Sequence, residues 1–394
     1  MADRGLRHRL EDRLDQIAAK GLKRRLAPVD QVHGSRISVA GSTFLNLAGN
    51  DYLGLAGDRG LVDRFYRQAL ADPEGLRPGA AASRLMTGNH ALYARLEKGL
   101  AELYGRQRAL VFNSGYHLNI GLLPALTTRH DLILADKLCH ASLIDGMRLS
   151  RARTIRYPHL DYDRLEELLA GTREAYDQVF LVTESIFSMD GDLADLAVLV
   201  RLAATYQAVL YVDEAHAVGV LGGQGLGLAE ELGVLGEIDL LVGTFGKAWA
   251  GQGAFLLCSR VVADYLVNTA RSLIYTTGLP PVTLHWLCFV MERIKGMDRE
   301  RRHLRGLAGR LRSALQKEGL TTKGASQIVP VMVGDADRAV RAADRLRRGG
   351  YWTVAVRPPT VPPSTARLRL SLSAAMRWEE LAPLPQLLAK ILAS

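Results

Sequence analysis

The sequence predicts an α/β fold, with a large, mostly parallel sheet covered by helices on both faces and a smaller α+β domain after it. Two observations carry this. From Ala109 onward, apolar runs of strand length (109–112, 131–136, 179–184, 208–213, 239–244 and 254–258) mostly end in small polar clusters that open into helical spacing. Strands that alternate with helices pair in parallel, because the return path is a covered crossover and not a tight turn. After Pro280-Pro281 the character changes to Arg-rich helical stretches separated by short strand-like segments. The chain thus divides into an N-terminal helix and ribbon (1–45), a large domain (46–285) and a C-terminal domain (286–394).

Taken in order, residues 1–26 read as a mixed-charge helix with Leu6, Leu10, Leu14 and Ile17 along one side, a docking stripe. Its basic end, Lys23-Arg24-Arg25, suits a helix C-terminus. Residues 31–48 alternate and turn like a small ribbon, and Asn50-Asp51-Tyr52-Leu53-Gly54 follows as an irregular polar and aromatic stretch. Residues 75–89 form a long loop of small residues, a composition that lets backbone approach a ligand closely. Leu92, Leu96 and Leu100 then mark a helix closed by Gly105. In the last part, residues 286–319 and 335–348 read as helices and 327–333 as a strand. Residues 367–373 alternate, Leu368, Leu370 and Leu372 against Arg367, Arg369 and Ser371; arginines on such a face are normally solvated, and they can also form a fork for a carboxylate.

Composition narrows the function. With 48% hydrophobic and 23% charged residues, the 394-residue chain is ordinary for a soluble protein. Its excess of nine positive charges is spread through helices, often beside acids, with no stripe interleaved with aromatics. This favours small anionic ligands over nucleic acid. Cys139, Cys258 and Cys288 form no Cys-x-x-Cys pair, so neither a disulfide framework nor a zinc site is expected, and a cytoplasmic setting is. No signal peptide and no membrane span is expected either.

The chemistry gathers in residues 208–247. One apolar run delivers Asp213 and His216, and the next delivers Thr244 and Lys247. Sites in open α/β sheets lie beyond the carboxyl ends of the strands, so an acid, an imidazole, a hydroxyl and an amine are brought to one crevice. That set suits pyridoxal phosphate: an amine for the Schiff base, a carboxylate for the pyridine nitrogen and an imidazole for the ring oxygen. Strand-Asp-Glu-Ala-His is also the second box of ATP-driven helicases, which need a separate Gly-x-x-x-x-Gly-Lys-Ser/Thr loop. The only Gly-Lys here is 246–247, downstream of the box and followed by Ala248, which excludes that rival. Ser114-Gly115-Tyr116 opens a helix whose N–H groups suit a phosphate. His140, just after a strand, reads equally as a ring-stacking residue or a helix cap.

These pieces occur in a familiar order: Asn-Asp-Tyr-Leu-Gly, Ala-Ser-Arg-Leu-x-x-Gly-Asn-His, Asn-Ser-Gly-Tyr, His-Ala-Ser-Leu, Glu-Ser-x-Phe-Ser-Met-Asp-Gly-Asp, Asp-Glu-Ala-His, Thr-Phe-Gly-Lys and Arg-Pro-Pro-Thr-Val-Pro. From Asn50 to Ser373 the chain resembles the α-oxoamine synthases, pyridoxal-phosphate enzymes of the aspartate-aminotransferase fold (fold type I), whose large sheet has seven strands. The C-terminal motif is most similar to the biotin-pathway branch. The resemblance implies Lys247 as Schiff-base lysine and proton carrier, Asp213 on the pyridine nitrogen, His216 on the ring oxygen and His140 stacked on the ring. It implies further cofactor contacts from Gly115, Tyr116, Ser188 and Thr244, and from Thr276 and Thr277 toward the neighbouring subunit's phosphate in a homodimer. Asn50, Ser83, Thr360 and Arg369 match substrate contacts, joined by Lys23 or Arg24. The implied reaction condenses L-alanine with a pimeloyl thioester, carried on coenzyme A or a carrier protein, with loss of carbon dioxide. Sister enzymes of the family use glycine with acetyl-CoA or serine with a long acyl thioester. Pro78-Gly-Ala-Ala-Ala82, Pro362-Pro-Ser364 and Ala217-Val218 depart from the family pattern and bear on the acyl channel.

Overall fold

A computed structural model describes residues 2–24 and 26–393, so Arg25 of the basic triplet lies outside the described residues. The chain forms two compact units, one of residues 50–188 and 192–305, the other of 1–49, 189–191 and 306–394. The N-terminal segment thus joins the C-terminal part, and the division falls inside the helix Asp298–Lys317.

The larger unit is built on seven strands: β1 (Arg108–Phe112), β2 (Leu132–Asp136), β3 (Arg153–Tyr157), β4 (Val179–Glu184), β5 (Val209–Asp213), β6 (Leu240–Thr244) and β7 (Ala254–Cys258). They lie in the order β1-β7-β6-β5-β4-β2-β3. β7 runs antiparallel to both neighbours, and the remaining pairs are parallel. One face, carrying Phe112, Ile133, Ala135, Phe180, Val182 and Val242, packs with Leu118, Leu122, Leu143 and Met147 of two helices, α1 (Gly115–Leu126) and α2 (Ala141–Leu149). Leu134, Leu181, Leu210 and Val212, at the alternate positions, are equally buried. Burial on both faces is why these strands read as unbroken apolar runs. Each fully buried Leu contributes about 1.5–3 kcal/mol. β3 escaped the sequence reading because Arg-Thr-Ile-Arg-Tyr is not apolar. As the edge strand it keeps Arg153 and Arg156 exposed, and such edges favour charge.

In the smaller unit, β8 (Ile328–Gly334), β9 (Val354–Val356) and β10 (Ala366–Ser371) form an antiparallel sheet with β10 in the centre. The ribbon Gln31–His33, Arg36–Val39, Ser42–Asn46 is extended in parallel by Tyr351–Trp352. Two expectations are corrected here. β10 alternates as read, but its polar face is not solvated: Arg367, Arg369 and Ser371 are 3%, 9% and 2% exposed. That face is covered, so Arg367 goes to a partner, an ion pair with Asp190 supplemented by bonds to the backbone and hydroxyl oxygens of Thr365. The N-terminal helix spans Ala2–Ala19 and stops short of Lys23. Gly21 (φ 64°) ends it in a Schellman arrangement, the Gly21 N–H reaching Ala18 O and the Leu22 N–H reaching Ile17 O. Its stripe of Leu6, Leu10, Leu14 and Ile17 is 41–50% exposed. Among the described residues, no helix is long and apolar enough to cross a membrane.

The Arg367–Asp190 pair yields a stability test. Arg367→Ala leaves a buried carboxylate uncompensated, and such losses cost about 3–5 kcal/mol. Urea unfolding should show a midpoint lowered accordingly, whereas replacing the exposed Arg302 should change it little.

Candidate active site

The carboxyl ends of β1, β2, β4, β5 and β6 bring most of the sequence-predicted residues to one edge of the large sheet. Asp213 ends β5 opposite Glu184, which ends β4, and both are buried. The Asp213 carboxylate is fixed at both oxygens: Asn119 Nδ2 donates to Oδ2 (2.9 Å) and the Ala215 N–H donates to Oδ1 (3.0 Å). Asn119 is itself a junction, donating to Ser142 Oγ (3.0 Å) and accepting from Tyr211 O–H (2.5 Å). The sequence reading passed over Asn119. Its signal was a lone amide inside the apolar stretch Leu118–Leu123 of α1, where a polar side chain needs a buried partner.

His140 caps α2: its Nδ1 accepts from the Ser142 N–H (3.2 Å) and lies 2.7 Å from Ser142 Oγ. Its backbone N–H donates to Glu184 Oε1 at 2.5 Å. Burial lowers the pKa of His140, Asp213 opposes that and the Lys247 ammonium adds to it. Burial, with the Asp213 charge adding to it and Lys247 opposing it, lifts Glu184 to about 8. These mutual effects put Lys247 in the same field as His140, Asp213 and Glu184. His216 Nδ1 is 2.6 Å from Tyr52 O–H, which donates to Asn50 Oδ1 (3.1 Å). The tyrosine hydroxyl thus lies between the Asn50 amide and the His216 ring. The Asn-Asp-Tyr motif is thus more than a turn, because it orients the imidazole.

A second group lies at the start of α1. Ser114 caps the helix by accepting from the His117 N–H (3.1 Å). A Cβ added to Gly115 would sit 4.0 Å from Thr244 Oγ1, so the helix N-terminus and the β6 hydroxyl adjoin one cradle without a side chain between them. Asn113 Nδ2 donates to Thr276 Oγ1 (3.2 Å) and to Thr277 O (2.6 Å), and Thr277 bridges to Ser83. Tyr116 points its hydroxyl at Asp145 (2.5 Å) and is partly exposed. Ser188 follows β4 in the loop 185–194. In the smaller unit, Arg24 Nη2 donates to Thr360 Oγ1 (3.3 Å), and the Lys23 backbone oxygen accepts from Arg357 (3.1 Å). Arg369 is held by strand pairing with Val354 and Pro330.

The acid next to Asp213 does different work. Glu214 accepts from Ser185 O–H (2.6 Å) and from the N–H groups of Leu228 (3.0 Å) and Ala229 (2.8 Å). Burial lifts it to about 7 against those bonds. Gly227 (φ 123°) is required there, since a Cβ would come within 2.8 Å of the Glu214 carboxyl. Of the Asp-Glu-Ala-His box, then, Asp213 is held by Asn119, His216 lies against Tyr52, and Glu214 ties down the following loop.

These donors fit pyridoxal phosphate: a buried, doubly held carboxylate for a ring nitrogen, a neutral imidazole, an amine in their field and a helix N-terminus for a phosphate. Asn119→Ala should leave Asp213, Ser142 and Tyr211 short of a partner in a buried place. A loss of about 1–3 kcal/mol is expected in urea unfolding of the cofactor-free chain, together with weaker cofactor binding in a spectrophotometric titration.

Comparison with known proteins agrees. The profile of aminotransferase class I and II matches residues 42–386. The 8-amino-7-oxononanoate synthase of Chlorobaculum parvum is 50% identical over 369 residues, covering 93% of this chain and 94% of its own. A putative 8-amino-7-oxononanoate synthase of Haemophilus influenzae is 45% identical, covering 94% and 97%. Among solved structures, serine palmitoyltransferase of Sphingomonas wittichii superposes with a TM-score of 0.89 at 28% identity, covering 97% and 96%. The 8-amino-7-oxononanoate synthase of Francisella tularensis gives 0.75 at 27%, covering 88% and 97%. With its sheet order, its site and these relatives, the chain belongs to the aminotransferase class I and II family, in the branch that holds the 8-amino-7-oxononanoate synthases.

Proposed function

We propose that the chain is a pyridoxal-phosphate-dependent acyltransferase of biotin biosynthesis. It condenses L-alanine with a pimeloyl thioester to 8-amino-7-oxononanoate, carbon dioxide and free thiol. The observation that carries this reading is the Asp213 carboxylate, buried and held by Asn119 and Ala215 within the field of Lys247. The names shared by relatives at 45–50% identity support the substrates.

Bound pyridoxal phosphate supplies an electron sink for charge developing at the amino acid's Cα. Asp213 keeps the proton on the ring nitrogen, so that the sink is open. Lys247 would hold the cofactor through its amine and, with alanine bound, would take the Cα proton. The new bond forms from Cα to the thioester carbonyl, and the thiol leaves. The former alanine carboxylate departs as carbon dioxide, and Lys247 returns a proton to Cα. His140 is kept neutral by burial, and because Nδ1 accepts from the Ser142 amide, its proton sits on Nε2, available to a substrate oxygen. His216 bonds the ring oxygen, while Gly115, Tyr116, Ser188 and Thr244 hold the ring and phosphate. Thr276 and Thr277 reach the phosphate of a second subunit in a homodimer. Arg369 clamps the alanine carboxylate, and Asn50, Ser83, Thr360 and Arg24 are further substrate contacts. The donor thiol is coenzyme A or a carrier protein.

Borohydride should bleach the yellow holoprotein and fix a pyridoxyl group on the peptide holding Lys247; label on any other peptide overturns the reading. Lys247→Ala should lose product formation by far more than the ~10²–10⁴ typical of a general base alone, because tether and base go together. Arg369→Ala should weaken alanine about ten- to hundredfold, the size of a lost charge-assisted bond, at unchanged cofactor occupancy. Turnover of alanine, glycine and serine against a panel of acyl thioesters separates the proposed reaction from its sisters; preference for serine with a long acyl chain would reassign the chain.

A further inference from the structure

His159 occupies a place in the larger unit that the reaction above does not use. Its Nδ1 lies 3.0 Å from both carboxylate oxygens of Asp136, and its Nε2 lies 3.2 Å from Asp192 Oδ2. The ring stands edge-on to Phe187, with centroids 4.4 Å apart and planes at 86°. An imidazole with a carboxylate at each nitrogen donates at both ends when protonated, and at only one when neutral.

Each carboxylate controls a different turn. Asp136 ends β2 fully buried and accepts the N–H groups of Leu138 (2.7 Å) and Leu160 (2.9 Å), while its backbone oxygen accepts from Cys139 (3.2 Å). It thereby shapes the turn 137–140 that delivers His140. Asp192 closes the loop that carries Ser188: the Phe187 N–H donates to Asp192 O (3.0 Å), the Ala194 N–H to Ser185 O (3.0 Å), and Ile186 bridges to Leu193. One imidazole therefore ties together two turns from separate strands.

We propose that His159 is a positioning residue, which in its protonated form fixes the spacing between the His140 turn and the Ser188 loop and so shapes the cofactor site without touching it. The proposal rests on the cofactor roles of His140 and Ser188 given above. Its sign with pH follows from the surroundings. Burial opposes the charge, but bonds and charges from Asp136 and Asp192 outweigh it and lift His159 to about 9 from 6.5. Its contribution is complete below about 6.5 and is lost as pH rises through about 9. The other groups around Asp136 are Tyr157, Tyr162, Cys139, Arg156 and Glu184. Burial raises Tyr157, Tyr162 (to about 12) and Cys139, so these stay neutral across that window. Glu184, at about 8, also titrates there and must be held constant by comparing variants.

The test titrates cofactor-free protein with pyridoxal phosphate from about pH 6 to about pH 10, reading the dissociation constant and the circular dichroism of the bound cofactor. Wild type, His159→Gln and Asp192→Asn are compared, with melting temperatures. At pH 7 both variants should bind roughly tenfold more weakly, the loss typical when support for a ligating residue is removed. Their dichroism should change, and the weakening that wild type shows as pH passes about 9 should be missing from both. A lower melting temperature with affinity, dichroism and pH profile all as in wild type overturns the proposal and leaves His159 a structural group. If His159→Gln fails to fold, Asp192→Asn, which retains the Asp136 pairing, decides alone by the same criteria. Wild type that fixes no pyridoxyl group on Lys247 overturns the proposed function instead.

Discussion

Everything at the site depends on one costly arrangement, the burial of Asp213 at the end of a central strand. An isolated carboxylate in such a place would be expensive, and the chain meets the cost with fixed donors. Asn119 is the decisive one, because Tyr211 and Ser142 saturate its remaining capacity and lock its amide in one orientation. The acid is thereby aimed before any ligand arrives. Such preorganisation spares the reorganisation that water or a mobile side chain would demand during reaction.

Asp213 also sets the charge state of its neighbours. Glu184 and Glu214 lie beside it in buried surroundings, and its charge adds to the burial that raises both, to about 8 and about 7. At neutral pH the first is therefore mostly protonated and the second is near its midpoint. Negative charge concentrates on Asp213, where a cationic ring nitrogen would meet it. The same burial keeps His140 neutral, so the imidazole does not repel that cation. One charged acid and one neutral base emerge from environment, with residue types that elsewhere would both be ionised or both be solvated.

Much of the fold was legible because both faces of the large sheet are covered. Apolar runs such as 131–136 and 208–213 then have one physical explanation, and their polar ends mark the edge where chemistry gathers. Legibility failed where burial is bought by pairing instead of by apolar side chains. β10 alternates like a half-exposed strand, yet its arginines are interior, since Asp190, a residue 177 positions away in sequence, neutralises one of them. No local pattern encodes such a partner. β3 failed for the opposite reason: an edge strand is held by backbone pairing on one side and needs little apolar character.

The site shows the same split between local and distant information. Lys247, Asp213, His216 and His140 were legible as candidates because each lies at or shortly after the end of a strand, and chain geometry alone brings strand ends together. Asn119, Tyr52 and Asn113 were not, because each works through a bond to another segment: to Asp213 of β5, to His216 beyond it and to Thr276 and Thr277. Candidates for meeting a ligand are marked by the strand ends that carry them. Residues that aim those groups are marked only by being polar where the local pattern asks for something else. Asn119, an amide in an apolar helix, is one case. His159, just past an edge strand and held between two acids, is another. A polar side chain that breaks its own segment's pattern is therefore the place to look for the support of a site.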